Sequence, residues 1–105
     1  MKIKINLNTS LLNLTGKTLK GNDKTELTVR EVLSGYLINE TGAKEPLRNW
    51  RISKNIYTAP NPEYEMSEDE YDFIEALIKK INDPPLVQGQ LLEIMHNAKL
   101  KATGA

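Results

Sequence analysis

Asp83-Pro84-Pro85 divides the last third of this chain into two amphipathic segments, and no continuous helix can pass through it. A proline inside a helix lacks the backbone donor and clashes with the preceding turn. On its amino-terminal side, Tyr71, Ile74, Leu77, Ile78 and Ile81 recur at helical spacing. Ser67 and Glu70 have the spacing of a capping box, so a helix is predicted to start at Glu68. On the other side a second helix is predicted, with Asp83 as its cap and a proline in its first turn. Its apolar face would hold Val87, Leu91, Ile94, Met95 and Ala98. Gly89 would allow a neighbouring helix to approach, and residues 101–105 would fray.

The opposite end of the chain follows a different period. Ile3, Ile5 and Leu7 alternate with Lys2, Lys4 and Asn6, predicting a strand over Lys2 to Asn8 with one face buried. Leu11 to Leu14 and Thr18 to Lys20 flank Thr15-Gly16-Lys17, predicting a hairpin that turns at Gly16, with a second turn at Gly21-Asn22-Asp23-Lys24. Tyr64 and Met66 alternate with Glu63 and Glu65, and this short strand could join the amino-terminal sheet.

Two further helices lie between. Thr28 and Glu31 suggest a second capping box ahead of the stripe Val29, Val32, Leu33, Tyr36 and Leu37. That helix should end near Glu40, with Gly42 suited to a left-handed cap and Gly35 off the stripe. Pro46 should open a helix that runs to about Tyr57. At about 100° per residue, Leu47, Trp50 and Tyr57 fall on one side of it and Ile52 and Ile56 on nearly the opposite side. A single core face cannot hold both sets. Either the helix is sandwiched, with Trp50 and Tyr57 in the core, or one side meets a partner.

The resulting expectation is an α+β fold. A small amino-terminal antiparallel sheet (hairpin) packs against about four α-helices in one domain over residues 1–100. A chain of 105 residues is long enough to bury a core, and its 39% apolar and 27% charged residues are ordinary for a folded protein. Cysteine is absent, which excludes disulfides and thiolate chemistry. No apolar run approaches the roughly 20 residues that span a bilayer, and the amino terminus lacks a signal-peptide block. A cytoplasmic location without membrane contact is expected.

Little in the sequence points to catalysis. His96 is the only histidine, and Glu93 is its one evident carboxylate neighbour, an ordinary arrangement on a solvated helix face. One histidine without cysteine cannot build a structural zinc site. Six carboxylates and no basic residue lie between residues 59 and 72, but they lack the spacing and central glycine of a calcium loop. Glu68, Asp69 and Glu70 suit the positive end of a helix instead. Thr15-Gly16-Lys17-Thr18 lacks the earlier glycine of a phosphate-binding loop and reads as turn chemistry. No catalytic, cofactor-binding or metal-binding residue is assigned, and no cofactor is expected.

Charge balance is neutral, with 14 basic and 14 acidic residues, so there is no global argument for nucleic acid. The amino-terminal lysines with Arg48, Arg51 and Lys54 could still form a basic patch, with Trp50 and Tyr57 as stacking surfaces. Edge protection of a strand accounts for the lysines as well. A nucleic-acid-associated regulator is therefore the alternative. The leading expectation is a non-enzymatic interaction, assembly or accessory protein that self-associates or binds another protein. Its candidate partner interface is Trp50, Tyr57, Leu47 and Arg51.

Four segments carry a resemblance. They are Leu12-Asn13-Leu14-Thr15-Gly16-Lys17, the Thr-x-Arg-Glu-Val-Leu pattern over residues 28–33, Lys54-Asn55-Ile56-Tyr57, and Pro85-Leu86-Val87-Gln88-Gly89-Gln90. In these the chain resembles small proteins of unassigned function encoded in phage and prophage genomes. The resemblance implies no catalytic residues; a phage-encoded protein would act in a host cytoplasm.

Overall fold

The structure, a computed structural model, describes residues 2–20 and 25–104. The fold is α+β, with strand β1 (Lys2–Asn6), helices α1 (Val29–Ile38) and α2 (Pro46–Thr58), strand β2 (Glu63–Ser67), and helices α3 (Glu68–Lys80) and α4 (Pro85–Ala102). Contacts divide the chain into two compact units, one of residues 1–6 and 63–105, the other of residues 7–62.

In the first unit β1 and β2 pair antiparallel, with Ile3 opposite Met66 and Ile5 opposite Tyr64. The period-two pattern puts Ile3, Ile5 and Met66 on the buried face and leaves Lys2, Lys4 and Glu65 exposed. β1 lies against α4, and α3 packs on α4. Tyr71, Ile74, Leu77 and Ile78 of α3 and Leu91, Met95 and Ala98 of α4 are buried, as their spacing predicts, with Val87 and Ile94 half-buried. The Ser67 hydroxyl accepts from the Glu70 N–H at 3.2 Å, fixing the start of α3 at Glu68.

Three expectations for α4 need correction. The residue before its first turn is Pro84, not Asp83, and no side chain caps it. Gly89 is exposed, and a Cβ built there would meet nothing within 4 Å, so it does not serve close packing. The helix also continues to Ala102 instead of fraying from residue 101. Lys99 and Lys101 favour the negative helix end, and the Thr103 N–H bonds the Lys99 carbonyl oxygen before Gly104 turns at φ +76°.

In the second unit α1 and α2 pack together, preceded by a looped segment held by bridges instead of regular strands. Leu12 bridges Thr18 around the turn at Gly16, whose φ is +85°. Asn13 Oδ1 accepts from the Thr15 N–H at 2.9 Å, the Thr15 hydroxyl at 2.7 Å and the Lys17 N–H at 3.1 Å. This is the turn chemistry expected of Thr15-Gly16-Lys17-Thr18. Leu11, Leu19 and Leu27 close a backbone ring: each N–H donates to a carbonyl of another, at 2.8 Å in all three cases. Among the described residues the regular ladder is that of β1 and β2. The turn expected at Gly21-Asn22-Asp23-Lys24 lies outside the described residues. The Thr28 hydroxyl accepts from the Glu31 N–H at 3.4 Å and caps α1. Gly42 turns the chain at φ +71° after α1, which stops at Ile38, two residues before the expected end.

Candidate interaction site

The two sides of α2 have different fates. Ile52 and Ile56 are buried together with Asn49 and Ser53. The polar pair faces α1: Ser53 Oγ donates to the Ser34 carbonyl oxygen at 2.9 Å and Asn49 Nδ2 to that of Leu37 at 2.9 Å, while Asn49 Oδ1 is buried with no hydrogen-bond partner. On the far side Leu47, Trp50 and Tyr57 are 57%, 53% and 63% exposed, and Arg51 is exposed beside them. Their exposure rules out the core reading of Trp50 and Tyr57. The four expected interface residues share one outward face of one helix.

Trp50 and Tyr57 also form one wall of a groove between α1 and α2, with a volume of about 610 Å³. Ile38 and Gly35 of α1 form the opposite wall, with Glu31 and Lys54 also in the lining. Gly35 lines the groove, and a Cβ built there would meet nothing within 4 Å, so glycine is not required there for close packing. The size is within the roughly 300–1,000 Å³ of pockets that seat a ligand. Ile38 is 47% exposed, so both walls present apolar surface.

Arg30 joins the two antiparallel helices α1 and α2 at one end. Its guanidinium Nη1 donates to the carbonyl oxygens of Ile56 at 2.9 Å, Tyr57 at 3.3 Å and Ala59 at 2.8 Å. They close the end of α2, where the Ile56 carbonyl oxygen also accepts from the Ala59 N–H at 3.4 Å and a positive charge meets the helix dipole. No local pattern announces Arg30, since its side-chain partners, Asn8 Oδ1 at 3.5 Å included, are 22 to 29 residues away.

The histidine has a partner different from the one expected. His96 Nε2 lies 2.7 Å from Glu75 Oε2, across the α3–α4 pair, instead of pairing with Glu93 along its own helix. The same carboxylate accepts from the Tyr71 hydroxyl at 3.1 Å, and Lys79 stands 3.5 Å away. Burial would raise the Glu75 pKa, but the hydrogen bonds from Tyr71 and His96 and the charge of Lys79 outweigh it and hold it below the usual value of 4.5. Burial, then the bond and charge of Glu75, push the Tyr71 phenol up to about 12. The i, i+4 spacing of Tyr71, Glu75 and Lys79 was the available signal; the reach to His96 was not. Glu75, already shared three ways, joins α3 to α4.

The basic residues are divided. Lys2, Lys4 and Lys101 line a second cavity of about 460 Å³ in the first unit with Asn6, Ala98 and Glu63, and Glu63 stands 3.7 Å from Lys4. Arg48, Arg51 and Lys54 belong to the other unit, with Trp50 and Tyr57. The lysine cavity has no aromatic wall on which a base could stack. Among the described residues no three His, Asp or Glu side chains converge as metal ligands. No described helix is long and apolar enough to cross a membrane.

Comparisons with protein-family models, with curated proteins and with solved structures gave no match.

Proposed function

We propose that this chain is a non-enzymatic interaction protein of the assembly or accessory kind, acting in the cytoplasm, and that the outward face of α2 is its contact surface. One observation carries the reading. Of the seven large hydrophobic side chains that are exposed among the described residues, six (Leu12, Leu14, Ile38, Leu47, Trp50 and Tyr57) belong to the unit of residues 7–62. Isolated exposed apolar residues are ordinary, but Ile38, Trp50 and Tyr57 gather around one groove, and such a gathering is the mark of an interaction surface. Tryptophan, tyrosine and arginine are the side chains that most often anchor such contacts, and Trp50, Tyr57 and Arg51 supply all three. Self-association is the first partner to test.

Light scattering over a wide concentration range tests it. Self-association raises the mass above the 11.9 kDa of one chain, and Trp50→Ala returns it toward that value. A wild-type mass of one chain at every concentration, together with no partner whose binding Trp50→Ala weakens, removes the reading.

A further inference from the structure

We infer that the recess between β1 and the last turn of α4 binds a phosphate dianion, either free or as the monoester of a small molecule. Two local periods meet there. Lys2 and Lys4 share the outward face of β1 at the two-residue spacing of a strand, and Ala98, Lys101 and Ala102 share one stripe of α4 at helical spacing. Both sets line the cavity of about 460 Å³, together with Glu63 of β2. The two alanines, whose side chains end at Cβ, leave the recess open beside the strand.

Charge selects the ligand. Three ammonium groups face one carboxylate, an excess of two positive charges. Glu63 already stands 3.7 Å from Lys4. Among the described residues no carboxylate lies within ion-pair distance of Lys2 or Lys101. Edge protection accounts for lysines on a strand, and the helix dipole for a lysine in the last turn of α4. Neither gives a reason for the two kinds to converge. Lys99, in the same turn, lies over the Tyr71 ring, 5.1 Å from its centroid, whereas Lys101 lines the recess. The repulsion of an anion by the helix end is reduced, because the Thr103 N–H bonds the Lys99 carbonyl oxygen at 3.1 Å and the Gly104 N–H that of Lys101 at 3.2 Å. A cleft lined by one sign of charge concentrates ions of the other. A phosphate monoester carries about −1.5 to −2 charges at neutral pH and three acceptor oxygens, which matches three lysine donors and the charge excess.

Titration of the isotope-labelled full chain with inorganic phosphate and with methyl phosphate, followed by NMR in low-salt buffer at about pH 7.5, tests the inference. The amide resonances of Lys4, Lys101 and Ala102 are expected to shift along one saturable curve, with a Kd of about 1 mM or below. Tighter binding of methyl phosphate identifies an ester as the ligand, and equal binding identifies free phosphate. Lys101→Glu is expected to weaken binding at least about tenfold, and Lys101→Gln, which adds no carboxylate to the helix end, severalfold, each with an unchanged helical signal by circular dichroism. Lys44→Glu makes the same change of net charge as Lys101→Glu, at an exposed position outside the recess, and is expected to leave binding unaltered. The absence of a saturable shift at these amides up to about 20 mM phosphate overturns the inference. So does binding that neither Lys101 variant weakens, or that Lys44→Glu weakens equally, since the effect is then one of net charge. Binding of duplex DNA that requires the same lysines, with none of phosphate or methyl phosphate, overturns it in favour of a polyanion surface.

Discussion

Asn49 Nδ2 donates to the Leu37 carbonyl oxygen at 2.9 Å and to Glu40 Oε1 at 2.8 Å, from a side chain that is 4% exposed. Two acceptors face the amide nitrogen, which fixes the orientation of the amide. The helix end that Asn49 serves is that of α1, whose last carbonyls have no partner within the helix. Asn49→Asp preserves the shape and replaces the donor by a carboxylate facing a carbonyl oxygen and a second carboxylate. The expected loss is about 3–5 kcal/mol, since the substitution buries an uncompensated charge. Urea unfolding of the two proteins at neutral pH checks it.

Arg30 serves the end of α2 in the same way, and Gln88 that of α3, donating to the carbonyl oxygens of Ile78 at 2.7 Å and Ile81 at 3.1 Å. Arg30→Ala is expected to cost about 2 kcal/mol, the scale of a charged hydrogen bond at a helix end. Arg30→Lys keeps the charge, but an ammonium on a flexible stem cannot reproduce the planar fork, so only part of the loss returns. Thermal unfolding of the three proteins measures the difference. If Lys recovers all of it, the effect is charge alone and the geometry of the guanidinium has no part.

These cross-helix caps mark where sequence reading stops. Ser67, Thr28, Pro46 and the apolar stripes act over three or four residues, and each was legible because the interaction is local. The strand at Tyr64 and Met66 was legible from its alternation, and its antiparallel partner proved to be β1. Arg30, Gln88 and the Glu75–His96 contact join residues 7 to 29 positions apart, and no spacing rule reaches them. For the candidate site, the two-sidedness of α2 was legible, but whether Trp50 or Ile56 faced inward required the packing of α1. The groove was not legible at all, since it exists only once α1 and α2 are packed together.

Opposite sides of α2 should separate stability from association. Ile56 is fully buried, and Ile56→Ala is expected to destabilise by about 2–5 kcal/mol through lost burial and the cavity left behind. Trp50→Ala, at a half-exposed position, should change stability by no more than about 1 kcal/mol and weaken association instead. Urea titration of dilute samples gives the first quantity and sedimentation the second. A large stability loss in the monomeric Trp50→Ala protein would return Trp50 to a structural role.

The Tyr71–Glu75–His96 cluster sets a pH window for the α3–α4 pair. Glu75 has a folded pKa below its ordinary 4.5, so the folded state holds the carboxylate charged where an unfolded chain has begun to protonate it. Its contribution is complete above that value and is lost as pH falls through the lower folded one. Tyr71 has the opposite sign. Its folded pKa near 12 exceeds the ordinary 10, so its contribution is complete below pH 10 and disappears as pH rises toward 12. The His96 bond itself is worth little, because 52% of that side chain is exposed to solvent. A double-mutant cycle of Glu75→Gln and His96→Ala should return a coupling of about 0.2–1 kcal/mol at pH 6. In Glu75→Gln the acid limb of the stability profile should flatten first, because the titrating carboxyl is gone. The alkaline limb should move less, since burial remains the larger cause of the raised Tyr71 value. Unchanged stability of the wild type between pH 5 and pH 3 would show that Glu75 is not held charged by its three neighbours.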